Sequence, residues 1–496
     1  MTAGDHRQAY DLLARGDLQG ALRLTAALTA VPLPTAGAYA ARAAVLKAAD
    51  QTQAALAVNR EAARRYPASG VTWHNLAATL GDLGLAEEAE AAARRAIALG
   101  LAAAETRLVL ARALQALHRF DEAEAAFREA LALRPDYEEP NTELAQLIWM
   151  RTRDRAAALS PLHAALAARP GHPGLRRALA VAQQFTGDPQ AARATVEAGL
   201  GQPPYDPRLL GLAIDLCCVT GDAAAALRWA AHVTGQDASS HAARAQAQLA
   251  AGDGAAAERE AALAVAKAPH DQYALALLAT AWRLTGDVRY RELYDYDGLV
   301  AAYDLIDPDT AEGSRELAEL RDALRRLHRF TAHPFSQSVR EGSQATLRLD
   351  GGHEPAIERL LQRLREAVGR RVSEGAGRGG PFWGRNTGAA EFSGAWSIRL
   401  GASGHHADHI HPRGWISSAF YVSVPDESAD AVNRPGWIKF GEPGARTSPR
   451  LGPEHFVQPR PGRLVLFPSY MWHGTVPYAS AEERMTVAFD ALPVAG

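Results

Sequence analysis

Small apolar residues recur along the first part of the chain at a spacing that is typical of paired helices. One series of alanines advances in steps of 34 residues through Ala89, Ala123, Ala157, Ala191 and Ala225. A second series with the same step begins at Ala96. Helices that cross closely need small side chains at the crossing, so this period predicts stacked helix–turn–helix units. The pattern predicts an all-α solenoid over residues 1–290.

The alanine-rich repeat ends near residue 290, and different helical patterns follow. Leu317, Leu320 and Leu324 form an apolar stripe at helical spacing, which predicts an amphipathic helix in a connecting segment, residues 291–330. A second stripe from Ile357 to Val368 predicts another helix. The segment between the two stripes, SQSVREGSQATLRL, is polar and has the pattern of an extended chain.

From Phe392 onward, hydrophobic and polar positions alternate in short runs that Gly and Pro separate. The runs are AWSIRL, WISSAFYVSVP, GWIKFG, RLVLFP and RMTVAFDAL. Short alternating runs with turn signals between them predict an antiparallel sandwich or barrel. The predicted fold is therefore multidomain, with the solenoid followed by a mainly β domain over residues 331–496 that carries flanking helices.

Composition and charge narrow the class of protein further. The chain has 496 residues, 47% hydrophobic and 22% charged, as in folded multidomain proteins. Its net charge of −3 gives no reason to expect a nucleic acid or an anionic membrane as partner. Apolar runs are too short for a transmembrane helix, and the N-terminus lacks the apolar core of a signal peptide. The sequence predicts a cytoplasmic location.

The segment HHADHIHPRGW, residues 405–415, contains two overlapping patterns of metal ligands. His406 and Asp408 form His-x-Asp, whereas His409 and His411 form His-x-His. On a regular strand, His409 and His411 would point to one side and Asp408 to the other. Only one of the two pairs can therefore face the interior of a barrel, and the residues alone leave both possibilities open.

Three further positions extend this candidate site. An apolar run ends at His473, which a strand would deliver to the rim of a barrel. Arg484 and Thr486 share one face of the next predicted strand, where a guanidinium and a hydroxyl group can hold a carboxylate. Tyr421, on the strand after the histidine pair, could reach the same carboxylate or could pack in the barrel wall.

The repeated region resembles the tetratricopeptide repeat family. Its best unit is WHNLAATLGDLGLAEEAEAAARRAIAL, with Trp73, Leu76, Gly84, Ala89 and Ala96 at the positions typical of the family. The next unit, from Arg107 to Pro135, has Phe127 and the closing proline. The resemblance implies a groove that binds a protein or an extended peptide. A spacer or dimerisation arm without a ligand is the alternative.

The C-terminal region resembles the 2-oxoglutarate/Fe(II) oxygenases that bacteria fuse to tetratricopeptide repeats. The matching runs are QSVREGSQ, WSIRL, HIHPRGWISSAFYVSVP, GRLVLFPSYMWHGTVP and ERMTVAFD. The resemblance implies a double-stranded β-helix, a jelly roll that holds Fe(II). It also implies 2-oxoglutarate as cosubstrate, with its far carboxylate on Arg484 and with Thr486 as the assisting hydroxyl.

The family pattern H-x-H-P aligns with His409, His411 and Pro412, so the favoured metal ligands are His409, His411 and His473. The set His406, Asp408 and His473, which corresponds to the common two-histidine, one-carboxylate triad, is the alternative. The predicted function is a dioxygenase that consumes O₂ and 2-oxoglutarate and hydroxylates a protein or peptide held by the repeats. The rival functions are a cupin-type three-histidine metalloenzyme that works without 2-oxoglutarate and a non-catalytic interaction scaffold.

Overall fold

A computed structural model describes residues 5–494 of the chain. They fall into two compact units. The first unit comprises Met1–Ile148 and Ser160–Leu175, and the second comprises Trp149–Leu159 and Arg176–Gly496. The second unit thus contains the later predicted repeats as well as the strand-rich region. The sequence-based boundaries at residues 290 and 330 stay a prediction, since compactness divides the chain differently.

Seventeen helices precede residue 290 and follow one another as the antiparallel pairs that the 34-residue period predicts. Their bounds are α1 Asp5–Ala14, α2 Leu18–Thr29, α3 Ala36–Ala48, α4 Thr52–Arg65, α5 Gly70–Asp82, α6 Ala86–Ala98, α7 Ala104–Ala116, α8 Phe120–Leu133, α9 Glu138–Thr152, α10 Arg155–Ala168, α11 Pro173–Phe185, α12 Pro189–Glu197, α13 Pro207–Thr220, α14 Ala223–Ala230, α15 Ala238–Ala251, α16 Gly254–Lys267 and α17 Gln272–Thr285. The predicted helical-repeat class is confirmed.

The buried alanine of each unit is the fourth residue of its second helix, and this position slips once along the chain. Ala89 in α6 and Ala123 in α8 are fully buried. The predicted next member, Ala157, is exposed, and its neighbour Ala158 is buried instead. The reason is that α10 begins 35 residues after α8, rather than 34, so one extra residue shifts the register. Ala192 in α12 continues the shifted series.

Short helices and two long ones link the repeats to the strands. The short helices are α18 Tyr290–Leu293, α19 Tyr296–Leu299 and α22 Gly380–Trp383. The long ones are α20 Ala311–Arg325 and α21 Pro355–Glu374. Both long helices bury the leucine stripes that the sequence predicts, including Leu320 and Leu361. The stripe of the first helix does not continue to Leu327, because α20 ends at Arg325.

Nine strands form two antiparallel sheets, which give the C-terminal region a jelly-roll-like fold. The six-stranded sheet has the order β1-β7-β4-β9-β3-β2, and the three-stranded sheet has the order β6-β5-β8. The strands are β1 Ala301–Asp304, β2 Val339–Leu347, β3 Ala390–His406, β4 Ile416–Ser423, β5 Ile438–Phe440, β6 His455–Val457, β7 Arg463–Pro468, β8 His473–Thr475 and β9 Arg484–Pro493. The predicted mainly β domain with flanking helices is confirmed.

One continuous apolar cluster joins the helices and the strands of the second unit. It includes Leu275 and Leu278 of α17, Tyr294 after α18, Phe420 of β4 and Phe489 of β9. The last repeat helices therefore share a core with the jelly-roll-like region. Across residues 5–494, no helix has both the length and the apolar character needed to cross a membrane.

Candidate metal centre

Three histidines from two parts of the chain meet at the candidate centre. His409 and His411 lie in the connection between β3 and β4, and His473 is the first residue of β8. The backbones of His409 and His473 pair through two hydrogen bonds, N–H to O, of 2.9 and 3.1 Å. This isolated bridge brings two histidines that are distant in sequence side by side.

The expectation that His409 and His411 lie on a regular strand is wrong. Strand β3 ends at His406 and β4 begins at Ile416, so both histidines belong to a loop. Pro412 cannot donate a backbone hydrogen bond to a sheet, and a turn follows it. Likewise, the apolar run before His473 does not deliver it directly, since β7 ends at Pro468 and a turn precedes β8.

The three imidazole rings are close enough to share one ion. Their ring centroids are 4.2 Å apart for His409 and His473, and 5.1 Å apart for each pair that includes His411. One nitrogen from each ring can be chosen so that all three lie within 4.8 Å of one another. Residues 5–494 contain no other group of three potential ligands that meets this criterion.

The hydrogen bonds of the three rings leave one nitrogen of each ring available. Nδ1 of His409 lies 2.8 Å from the carbonyl oxygen of Ala407, and Nδ1 of His473 lies 2.9 Å from that of Met471. A carbonyl oxygen only accepts, so each Nδ1 carries the proton and each Nε2 keeps a free lone pair. Nδ1 of His411 lies 2.6 Å from the carboxylate of Asp490. Such contacts orient ligating histidines in metal sites.

The protonation state of the rings also suits a metal. Burial, together with the neighbouring His411, lowers the pKa of His409 to about 3. Burial and the same histidine neighbours hold the pKa of His473 well below its ordinary value. Both rings are therefore neutral near pH 7, as metal ligation requires. Three neutral imidazoles are a donor set that fits Fe, Zn, Cu or Ni.

The alternative carboxylate ligand lies in a different environment. Oδ2 of Asp408 accepts a hydrogen bond of 3.0 Å from Nζ of Lys439, which also forms an ion pair with Glu442. His406 lines the cavity, but its Nδ1 lies 2.9 Å from the hydroxyl of Ser338. The structure does not bring His406, Asp408 and His473 together as one cluster.

A cavity of about 670 Å³ opens beside the histidines. This volume is within the range of small-molecule sites. Alternate residues of β9 line it along one face, as the two-residue period predicts for Arg484 and Thr486. Ala488 and Asp490 continue the same face. Asp490 was missed from the sequence, although its place in this series was a usable signal.

Arg484 is a buried cation without a carboxylate partner. Its side chain is 2% exposed, and its one hydrogen bond to a described residue runs from Nε to the carbonyl oxygen of Gly436, 3.2 Å away. The two acids that could have paired with it are engaged elsewhere. Asp490 contacts His411, and Glu483 pairs with Arg325 and Arg399. Burial lowers the pKa of the Arg484 guanidinium, which is the direction expected for a desolvated cation.

Tyr421 lies beneath this arginine. Its ring centroid is 5.2 Å from the guanidinium carbon of Arg484, and its Cα is paired with that of Thr486 across the sheet. The ring is fully buried, its hydroxyl has no hydrogen-bond partner among residues 5–494, and it does not line the cavity. The predicted contact with a cosubstrate carboxylate is not tested by this geometry and stays a prediction.

The segment QSVREGSQ contributes to the same cavity. Gln337 and Gln344 line it, whereas Arg340 does not. Arg340 donates to the carbonyl oxygens of Gln337 and Val339, and its guanidinium lies over the ring of Phe185. The two glutamines are therefore candidates for contact with a substrate, and the arginine stabilises the strand.

Comparisons with known families match both parts of the chain. Residues 394–490 match the model of a family described as "Putative 2OG-Fe(II) oxygenase". Residues 104–137 and 150–213 match two models of the tetratricopeptide repeat. The metal cluster and Arg484 lie inside the first match. No curated protein matches the chain significantly.

Solved structures that resemble the chain are helical-repeat proteins. A tetratricopeptide repeat protein from Parabacteroides merdae is 16% identical over 50% of this chain and 98% of that one, with a TM-score of 0.35. A repeat protein of Thermus thermophilus is 24% identical over 35% of this chain and 95% of that one, with a TM-score of 0.30. The APC/C hetero-tetramer Cut9-Hcn1 is 18% identical, and the match, with a TM-score of 0.32, covers 55% of this chain and 54% of that one.

Proposed function

We propose that this protein is an Fe(II)- and 2-oxoglutarate-dependent dioxygenase that hydroxylates a protein or peptide substrate recruited by its helical repeats. The observation that carries the proposal is the pairing of a three-histidine cluster with a buried arginine that lacks an acidic partner, both on one cavity. A buried cation is costly unless it is paired, so Arg484 calls for a ligand that brings a carboxylate.

In this proposal, His409, His411 and His473 hold the iron through their Nε2 atoms. When bound, Fe(II) supplies the activation of O₂ that is coupled to the oxidative decarboxylation of 2-oxoglutarate to succinate and CO₂. Asp490 fixes the ring of His411 through the contact with Nδ1, and the backbone carbonyl groups of Ala407 and Met471 do the same for the other two rings. The chain thereby presents three lone pairs in fixed directions.

The remaining residues bind and orient the cosubstrate. Arg484 forms charge-assisted hydrogen bonds with the far carboxylate of 2-oxoglutarate, and the Thr486 hydroxyl lies on the same face to assist. Tyr421 supports the guanidinium from below and closes that end of the cavity to water. Gln337 and Gln344, on the wall that belongs to neither the metal nor Arg484, are left to contact the substrate.

The rival functions make poorer use of these residues. A cupin-type metalloenzyme without 2-oxoglutarate would use the three histidines but would leave the charge of Arg484 uncompensated. A non-catalytic scaffold would explain neither the neutral histidines nor the arginine. The arginine therefore favours the 2-oxoglutarate-dependent reaction over both alternatives.

We expect the purified protein to bind a single Fe(II) per chain and, without oxygen, to develop a visible charge-transfer band when 2-oxoglutarate is added. The band arises when the 2-oxo acid chelates the metal through two oxygens. Anaerobic titration followed by absorbance measures it, and glutarate, which lacks the 2-oxo group, is the matched control. Metal binding without a band would favour the cupin-type alternative, and no metal binding would favour the scaffold.

Recruitment of the substrate is assigned to the repeats of the first compact unit. We expect deletion of residues 1–137, which removes α1–α8, to leave 2-oxoglutarate turnover without substrate within a few-fold of the full chain. Modification of a captured protein substrate should fall by more than tenfold, because tethering raises the local concentration of the substrate at the iron.

The test compares succinate formation and mass-spectrometric modification for the full chain and the deletion variant. Turnover without substrate is the control for folding of the remaining chain. Unchanged modification by a variant that lacks α1–α8 would show that these repeats do not recruit the substrate.

A further inference from the structure

The turn that carries His473 is held by the last helices of the repeat array. Trp472, immediately before the candidate ligand, is 4% exposed. Its indole Nε1 donates a hydrogen bond of 3.0 Å to the hydroxyl of Thr280 in α17. Its ring meets that of Tyr273, also in α17, edge to face at 6.2 Å. A residue of the repeat region therefore determines where this indole lies.

The backbone of the same turn is fixed by a buried tyrosine. The hydroxyl of Tyr294 accepts a hydrogen bond of 2.9 Å from the backbone N–H of Trp472 and donates one of 3.3 Å to the carbonyl oxygen of Tyr470. Tyr294 is almost completely buried between α18 and α19. Both hydrogen-bonding roles of its hydroxyl are thus used on the residues that precede His473.

A third contact reaches the turn from α17. The carbonyl oxygen of Trp472 accepts a hydrogen bond of 2.9 Å from the backbone N–H of Gly441. Arg283, near the end of α17, donates to the carbonyl oxygens of Gly441 and Gly452 at 2.7 and 2.8 Å. The indole, the backbone N–H and the backbone carbonyl group of Trp472 therefore all depend, directly or through one residue, on residues 280–294.

These contacts act on the candidate ligand through the backbone. The imidazole of His473 is oriented by the carbonyl oxygen of Met471, and its backbone pairs with that of His409. A movement of Trp472 would shift both the carbonyl group that orients the ring and the bridge that places it. Burial leaves little room for such a movement to be absorbed elsewhere.

We infer that Thr280 and Tyr294 are positioning residues of the metal centre, and that α17 belongs to the machinery that holds the iron rather than to a groove that binds substrate. This inference rests on the proposed metal site. It assigns the helices of the last repeat a part in cofactor binding that their repeat pattern does not suggest. A cut at residue 290, where the repeat pattern ends, would remove Thr280 and Arg283 from the centre.

The test is metal affinity in full-length variants, measured by anaerobic titration of the metal-free protein with Co(II) and followed by its visible absorption. Thr280→Val keeps the shape of the side chain but leaves the indole N–H without an acceptor. We expect its affinity to fall about tenfold, the lower end of the range for groups that orient metal ligands. Thr280→Ser keeps the hydroxyl and should restore affinity to within a few-fold of the parent protein.

Thr25→Val is the matched control for stability. The hydroxyl of Thr25 also donates to the carbonyl oxygen four residues earlier and accepts from a side-chain N–H, that of Arg42, as Thr280 does from Trp472. Thr25 is fully buried in α2, which belongs to the first compact unit. We expect this variant to lose thermal stability without losing Co(II) affinity.

Tyr294→Phe provides a second, independent variant, since it removes the acceptor for the backbone N–H of Trp472. Weakened Co(II) binding in both Thr280→Val and Tyr294→Phe, with Thr25→Val unaffected, would support the inference. Unchanged affinity in Thr280→Val and Tyr294→Phe would overturn it while leaving the proposed function intact. Absence of Co(II) binding by the parent protein would instead overturn the metal site of the proposed function.

Discussion

Replacing Arg484 by glutamine is expected to abolish measurable binding of 2-oxoglutarate while leaving metal affinity within a few-fold of the parent protein. The guanidinium lies on β9 and lines the cavity, but it is not among the residues that can hold the ion. Its loss would leave the far carboxylate of the cosubstrate buried without a partner. Removing one partner of a buried ion pair costs about 3–5 kcal/mol, which weakens binding by roughly two to four orders of magnitude.

Titration of the metal-loaded variant with 2-oxoglutarate, followed by the charge-transfer band, measures this effect. Arg463→Gln is the matched control, because Arg463 lies on the neighbouring strand β7 and pairs with Asp304 at 2.7 Å. That variant should bind 2-oxoglutarate like the parent protein. If Arg484→Gln and Arg463→Gln give the same titration curve, Arg484 is not the anchor for the cosubstrate.

Metal content should distinguish the two candidate ligand sets through three further variants. We expect His411→Ala to lose bound iron, because a site with two remaining ligands should lose more affinity than the 10–100-fold that follows removal of an outer partner. His473 belongs to both sets, so His473→Ala should lose iron under either assignment. Asp408→Asn should keep iron, since the Asp408 carboxylate is bonded to Lys439 rather than directed at the histidines.

Iron analysis after desalting and succinate yield should be measured together for these variants. Asp408→Asn preserves the size of the side chain and therefore serves as the matched control for His411→Ala. An iron-free Asp408→Asn variant together with an iron-loaded His411→Ala variant would establish His406, Asp408 and His473 as the ligands. The favoured assignment would then be wrong.

The sequence was most informative where one physical rule governs a whole segment. The 34-residue period predicts the helix pairs, because small residues are needed at each crossing. The alternation after Phe392 predicts β3, β4, β7 and β9, because each strand has one buried face. The same two-residue period places Arg484 and Thr486 on one face, and the structure has both on the cavity.

Details that depend on tertiary contacts could not be predicted in this way. The loop position of His409 and His411 depends on a bridge to His473, more than 60 residues away. The slip at α10 arises from one extra residue in a connection, which leaves the hydrophobic pattern nearly unchanged. The grouping of residues 176–290 with the strands depends on side chains such as Thr280, whose contact with Trp472 is invisible along the chain.

The apolar cluster that α17 shares with β4 and β9 has a consequence for how such proteins can be recombined. An engineer who wished to give this oxygenase region a new recognition arm would naturally cut where the repeat pattern ends. That junction would expose Leu275 and Leu278 and remove part of the core. A graft that joins a foreign arm before Arg176 would keep the catalytic core and its supporting helices as one inherited piece.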